Sequence, residues 1–459
     1  MQAVLLIDFG STYTKVTIAD LDREEIIGTA QAGTTIDTNI MDGLKVALAQ
    51  IPEPRGGWNF VRKLACSSAA GGLKMIASGL VKELTAEAAR RAALGAGARV
   101  LQVFSYELTL EDLDKIMTSK PDIILLAGGT DGGNKEVLLK NAEMLCALPI
   151  SLPVVIAGNK AASGQAADLL KKRHDPVVVA DNVMPELGIL AVESARLAIR
   201  DVFLTHIIQS KGLDKVEEFL ERIMMPTPAA VLAAAELLAQ GHGSERGMGE
   251  LMIVDVGGAT TDVHSIAKGD PSKPSVMLKG LPEPYAKRTV EGDLGMRYSS
   301  EALVEASGRR LFDYLGWTED QVACQLGLCK EDPWRLPHTE EEVKFDMAMG
   351  RMAVGLAVDR HVGTLEVVYT PFGASYVQHG KDLTPLPVVI GTGGVLLHHP
   401  DPLEILQGAV FDPEEPTLLK PQNPGFYLDK DYLLAAMGLL REVSPQVALR
   451  IMKKYVLKL

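Results

Sequence analysis

Residues 4–16 read VLLIDFGSTYTKV and residues 251–263 read LMIVDVGGATTDV. In each, a short apolar run of the kind that forms an interior strand ends in an aspartate, a glycine turn and hydroxyl residues. When 255–263 is laid over 8–16, Asp, Gly, Thr and Val recur at the first, third, seventh and ninth places. A second, weaker repeat links DIILLAGGT (122–130) with LPVVIGTGGV (386–395), each an apolar strand closed by paired glycines. Two repeats in the same order predict a duplicated fold whose polar loops sit at strand mouths.

The residue types in those loops suit a phosphate chain. Backbone approaches an oxyanion closely only where no Cβ intervenes, which Gly10, Gly257 and Gly258 permit. Ser11, Thr12, Thr260 and Thr261 add hydroxyl donors, and Lys15 adds a point charge. Asp8 and Asp255 would repel phosphate, so they make sense with Mg²⁺, which is held by one or two carboxylates together with phosphates. One of the two aspartates could also orient an attacking water. Gly391, Gly393 and Gly394 of GTGG offer a flat surface for a base or ribose, with the next helix expected near 402. Taken singly, each cluster also reads as an ordinary tight hairpin; three in this order favour the nucleotide.

Composition narrows the function. The chain has 459 residues, 47% hydrophobic, 23% charged and 5% aromatic, as expected of a globular α/β protein. No apolar run approaches the roughly 18 residues of a membrane span. A formal charge of −13 argues against nucleic acid or a membrane surface as partner. The opening Met1-Gln2-Ala3 passes straight into the first strand without a basic leader, so a cytoplasmic location is expected. Cys66, Cys146, Cys324 and Cys329 are scattered and read as reduced packing residues, and the 9 histidines show no zinc-site spacing.

Along the chain, strands are expected near 3–7, 14–19, 25–31, 61–66, 99–106 and 121–127, with helices near 40–51, 79–94 and 110–118. Strand-then-helix units follow at 153–170 and 176–200, residues 190–241 read mostly helical, and 241–249 reads as a linker before the pattern restarts. This order predicts three segments. Residues 1–149 form a first half, 150–245 an inserted or connecting α/β and helical segment that reads equally as the partner contact or as a solvated structural insert, and 246–459 a second half.

The succession DxGSTxTK, DxGGxTTD and GTGG resembles the first phosphate loop, second phosphate loop and adenosine loop of the actin, Hsp70 and sugar kinase ATPases. That resemblance implies a duplicated, ribonuclease H-like fold of two mixed-sheet halves around Mg-ATP. By the match, Asp8 and Asp255 face the metal, and Asp255 is the candidate for positioning water. Gly10, Ser11, Thr12 and Lys15 form one phosphate clamp, and Gly257, Gly258, Thr260 and Thr261 the other. Gly391, Gly393 and Gly394 form the adenosine loop; Asp262 fits the pattern and equally suits a brace for the turn.

A closer similarity covers nearly the whole chain. DFGSTYTK, CSSAAGGLKM (66–75), LLAGGTDGGN (125–134), TVEGDLGMRYS (289–299) and IGTGGVLLHHP (390–400) resemble the accessory proteins, designated by the letter L, encoded beside adenosylcobalamin-dependent glutamate (methylaspartate) mutase and related aminomutases. These are unrelated to the mismatch-repair protein of similar designation. The resemblance implies a chaperone-like ATPase that remodels a mutase so that damaged cobalamin leaves and intact cofactor enters. The expected partners are mutase subunits, with a homo-oligomer left open.

Three alternatives remain at this level: a small-molecule kinase of the same superfamily, an ATPase activating a radical dehydratase through an iron–sulfur cluster, and a nucleotide-sensing scaffold. The cluster would need thiolates, and Cys324 and Cys329 are the only near pair. Glu291 and Asp293 read as exposed turn acids or as acids approaching the nucleotide. Met347–Ala353 reads as a buried methionine-rich helix, and no DxHxxG stretch is present for histidine ligation of cobalamin.

Overall fold

The computed structural model describes residues 2–10, 12–35, 39–54, 57–68, 73–207, 219–220, 222–333, 335–370 and 373–459. The chain divides into two compact units. One comprises Met1–Ala234, Gly280–Pro282 and Ala435–Ile451; the other comprises Ala235–Lys279, Glu283–Leu434 and Met452–Leu459.

The first unit contains β1 (Ala3–Phe9), β2 (Tyr13–Asp20), β3 (Glu25–Gly33), β4 (Phe60–Ser67), β5 (Lys74–Gly79), β6 (Arg99–Ser105), β7 (Ile123–Leu126), β8 (Val154–Ile156), β9 (Val177–Val179) and β10 (Arg222–Pro226). Its mixed sheet has the order β10-β4-β1-β2-β3, with β1 antiparallel to β2 and parallel to β4. Every residue of β1 is buried, which is why it reads as an unbroken apolar run; β3, at the edge, alternates between half-buried and exposed. Between β4 and β10 the chain leaves this sheet and builds a second, all-parallel one in the order β6-β5-β7-β8-β9. Successive side chains of its strands enter different cores. Met75, Ala77 and Leu125 pack with Ala88, Ala89, Ala92 and Ala93 of the helix Glu87–Gly95, and with Ile7 and Phe9 of the mixed sheet. Ile76, Ile124 and Leu126 pack instead with Leu138, Ala142 and Leu145 of the helix Glu136–Leu145.

The strands expected from sequence near 99–106 and 121–127 therefore belong to a sheet of their own, and the division drawn at 149/150 falls between its adjacent strands β7 and β8. Two strands differ from expectation. The stretch containing β5 is rich in small residues, and β10 lies in a region whose apolar composition reads as helix.

The second unit contains β11 (Gly241–His242), β12 (Glu245–Arg246), β13 (Leu251–Val256), β14 (Thr261–Ile266), β15 (Val276–Lys279), β16 (Ala286–Glu291), β17 (Thr364–Thr370), β18 (Gly373–His379), β19 (Val388–Thr392), β20 (Gly425–Asp429) and β21 (Val456–Lys458). The expected linker at 241–249 holds the short β11–β12 hairpin. The main sheet runs β16-β14-β13-β19-β20-β21, and a smaller one runs β15-β18-β17. Phe345, Ala348, Met349, Ala353, Val354 and Ala357 of the helix Glu340–His361 bury the main sheet's Met252, Val254 and Val263.

The order and sense of β3-β2-β1-β4-β10 and β16-β14-β13-β19-β20 are the same, strand for strand. This corrects one of the two sequence repeats. Residues 122–130 contain β7 of the parallel sheet, whereas 386–395 contain β19, whose counterpart by position is β4. An apolar strand closed by glycines is what any interior strand feeding a tight turn requires, so composition alone paired the wrong strands. No described helix is long and apolar enough to cross a membrane.

Candidate nucleotide-binding loops

In the first unit, β1 and β2 form an antiparallel hairpin that sets Asp8 opposite Lys15 and Phe9 opposite Thr14. The Gly10 N–H donates to the Tyr13 carbonyl at 3.0 Å, closing a four-residue turn. A Cβ on Gly10 would lie 2.6 Å from that carbonyl oxygen, so the turn excludes any side chain there. The Thr34 hydroxyl donates to the Gly10 carbonyl (2.8 Å) and the Thr34 N–H to the Thr12 carbonyl (2.9 Å), which fix the turn from β3's end. Ser11 lies outside the described residues, as do 69–72 of the CSSAAGGLKM stretch.

Asp8 is buried, and its Oδ1 accepts the Thr227 hydroxyl at 2.5 Å and the Cys66 thiol at 3.5 Å. Burial pushes the Cys66 thiol well above its ordinary pKa, and the neighbouring Asp8 charge adds to this. Cys66 is thus neutral and packed, and it also lines the carboxylate. Neither partner was expected from sequence, although Pro226-Thr227-Pro228-Ala229 ahead of an apolar stretch carries the signature of a helix start.

In the second unit, β13 and β14 repeat the turn. The Gly257 N–H donates to the Thr260 carbonyl at 2.9 Å, and a Cβ on Gly257 would sit 2.9 Å from that oxygen. Here Asp255 stands opposite Asp262, not opposite a lysine. Asp262 is compensated by Arg288 on β16, whose guanidinium lies 2.6 Å from Oδ1, and it also accepts the Thr260 hydroxyl at 3.2 Å.

Residues 292–299 wrap this turn. The N–H groups of Met296, Arg297 and Tyr298 donate to the carbonyls of Gly257 (3.0 Å) and Gly258 (2.8 and 2.9 Å), and the Ser299 hydroxyl donates to the Ala259 carbonyl (2.9 Å). Arg297 anchors the wrap to the helix Glu340–His361 through Asp346 at 2.6 Å. With their carbonyls tied back, the N–H groups of Gly258, Ala259 and Thr260 have no hydrogen-bond partner among the described residues. Consecutive amides without a protein partner on a glycine turn are what an oxyanion cradle requires. Thr261 does not join it: it is buried and its hydroxyl donates to the Leu294 carbonyl at 2.7 Å. Glu291 and Asp293 are held by Arg360, which bonds Asp293 through two nitrogens at 2.7 and 2.8 Å. That hydrogen bonding keeps the Asp293 carboxyl below its ordinary range.

The three glycines of GTGG have separate roles. Gly391 is a buried residue of β19 against Leu396 and Leu406. Gly393 has φ +106°, and a Cβ there would lie 2.3 Å from the Val256 carbonyl oxygen. Gly394 begins a helix at once, Gly394–His398, where the sequence reading expected the next helix near 402. Thr392 between them donates to Asp429 (3.4 Å), which also caps the N–H groups of Leu433 and Leu434. No group of three metal-ligating side chains occurs among the described residues; Mg²⁺ held by one or two carboxylates, water and phosphate oxygens does not require one.

Comparison with known proteins gives the family. The model of the "MutL protein" family matches residues 4–456. Protein MutL of Clostridium tetanomorphum is 56% identical over 465 residues, covering 100% of both chains. Among solved structures, a ligand-bound xylulose kinase from Lactobacillus acidophilus is 11% identical with a TM-score of 0.36, covering 100% of this chain and 93% of that one. A diol dehydratase-reactivating factor in nucleotide-free form is 13% identical with a TM-score of 0.33, covering 96% and 100%. The (R)-2-hydroxyglutaryl-CoA dehydratase component A of Acidaminococcus fermentans is 9% identical with a TM-score of 0.31, covering 99% of each chain. On the family match across almost its whole length and the full-length relative, the chain belongs to the MutL protein family.

Proposed function

We propose that this protein is an ATP-binding and ATP-hydrolysing accessory factor that reactivates an adenosylcobalamin-dependent mutase of the glutamate mutase or aminomutase class. The observation that carries the nucleotide is the amide cradle at Gly258–Thr260, on a turn closed in the same way as the one at Gly10. Each turn follows a strand whose next-to-last residue is an aspartate, and each strand holds the same place in its sheet. In this reading the two sheets are duplicated actin-like halves, and the parallel sheet β5–β9 is an insertion in the first. Asp8 and Asp255 hold Mg²⁺ through water, Lys15 and the two turns clamp the phosphates, and Gly393 and Gly394 face the adenosine. The mutase is assigned from the resemblance of the five quoted stretches to the L-type accessory proteins.

A nucleotide can drive a change in a partner only if it binds two shapes of the protein with different affinity. Purified protein is therefore incubated with Mg-ATP alone, with a panel of hydroxyl substrates, and with an inactivated cobalamin-dependent mutase, while phosphate release and mutase activity are followed. Hydrolysis that rises with the mutase and restores its activity is the expected result. A phosphorylated small molecule, or hydrolysis indifferent to every mutase tested, would replace this reading with a kinase or another client.

A further inference from the structure

A row of residues crosses the first unit's mixed sheet: Lys15 on β2 opposite Asp8 on β1, Asp8 opposite Cys66 on β4, and Cys66 opposite Met225 on β10. Two residues beyond Met225, Thr227 opens the helix Thr227–Gln240, and its hydroxyl reaches back to Asp8 Oδ1. We infer that Thr227 is a positioning residue for metal-dependent nucleotide binding, holding the Asp8 carboxylate so that Oδ2 is presented to the metal's water shell. The inference rests on the nucleotide reading above.

The distances separate this role from packing. At 2.5 Å the Thr227–Asp8 contact is in the range of a charge-assisted O–H···O⁻ bond. The other donor to Oδ1, the Cys66 thiol, is a weak donor at 3.5 Å and cannot replace it. Among the described residues Oδ2 accepts no hydrogen bond, so the carboxylate has one committed oxygen and one free oxygen. A β-branched side chain has few χ1 choices, which keeps the Thr227 hydroxyl aimed without help from solvent. Groups that orient a metal's carboxylate typically change metal affinity or activity about 10- to 100-fold when removed.

The test is calorimetric titration of wild type, Thr227→Val, Thr227→Ala and Thr227→Ser with ATP, in Mg²⁺ and in EDTA. The readout is the ratio of the metal-free to the Mg²⁺ dissociation constant. Val keeps the shape and removes the donor, Ala removes the donor without a new contact, and Ser keeps the donor. The ratio should fall about 10-fold or more in Val and Ala and stay within about 2-fold of wild type in Ser. The metal-free constant, unchanged throughout, reports an intact loop. Wild-type ratios in Val and Ala would overturn the inference, as would a loss in Ser equal to that in Val, which would mean packing. Absence of ATP binding in wild type would instead overturn the nucleotide reading itself.

Discussion

Replacing Gly391, Gly393 and Gly394 by alanine one at a time should give three different results, although they sit within four residues of one another. At Gly394 the new Cβ meets only the Tyr432 hydroxyl at 3.6 Å, an ordinary contact, and it falls at the start of a helix. Alanine there should leave stability within about 1 kcal/mol of wild type, since it also restricts the unfolded chain. At Gly391 the Cβ meets methyl groups of Leu406 at 2.8 and 2.9 Å and of Leu396 at 3.0 Å. These are ends of flexible side chains, and overpacking of this kind costs about 1–3 kcal/mol. At Gly393 the backbone is at φ +106° and ψ 156°, a region only glycine occupies freely, and the Cβ meets Val256 oxygen at 2.3 Å and nitrogen at 2.7 Å. Strain of about 1–3 kcal/mol adds to a collision with backbone that cannot rotate away, so a loss near 4 kcal/mol is expected, a large share of a typical domain's stability. Urea unfolding of the three variants beside wild type measures the series. Equal stability of the Gly393 and Gly394 variants would refute the geometric reasoning.

Two further outcomes follow from buried groups. Burial and the charge of Arg288 push His264 down to about 3, and burial with Lys287 and Lys381 nearby holds His361 well below its ordinary value. Both stay neutral in the folded chain while the unfolded chain takes up protons below about pH 6.5, so stability is full above that pH and declines toward pH 3. Urea unfolding at pH 7.5 and 5.5 should differ by about 3 kcal/mol for the pair, and a flat profile would contradict this burial. Thr261→Val, which leaves the buried Leu294 carbonyl unpaired, should cost about 1–3 kcal/mol while changing ATP affinity less than about 2-fold. A large loss of affinity with unchanged stability would return Thr261 to the phosphate clamp.

The strands that carry Asp8 and Asp255 next to their last residue are legible because interior strands of this kind are otherwise apolar, and an aspartate near the end of one stands out. The glycine turns are legible for the same reason. What a turn does with its amides is not, because the Gly258–Thr260 cradle depends on carbonyls tied by residues 292–299, far away in sequence. Thr260 and Thr261 look equivalent as neighbours, but side chains alternate across a strand, and Thr261 at the start of β14 turns into the core. Thr227 was hidden because β10 before it, RIMMP, is too short and too methionine-rich to be told from helix by composition. The parallel sheet was hidden by its own strands, several only three or four residues long, which read equally well as continuing the first sheet.

The proposed function requires that the Asp8 and Asp255 hairpins serve one Mg-ATP. Titration of ATP in Mg²⁺ into wild type, Asp8→Ala and Asp255→Ala tests it most directly, with unfolding curves to verify that each variant is folded. The expected result is one nucleotide per chain in wild type, and loss of the Mg²⁺-dependent part of the affinity in both variants alike. Two sites per chain, or a folded variant at either position that keeps the full Mg²⁺ effect, would contradict it.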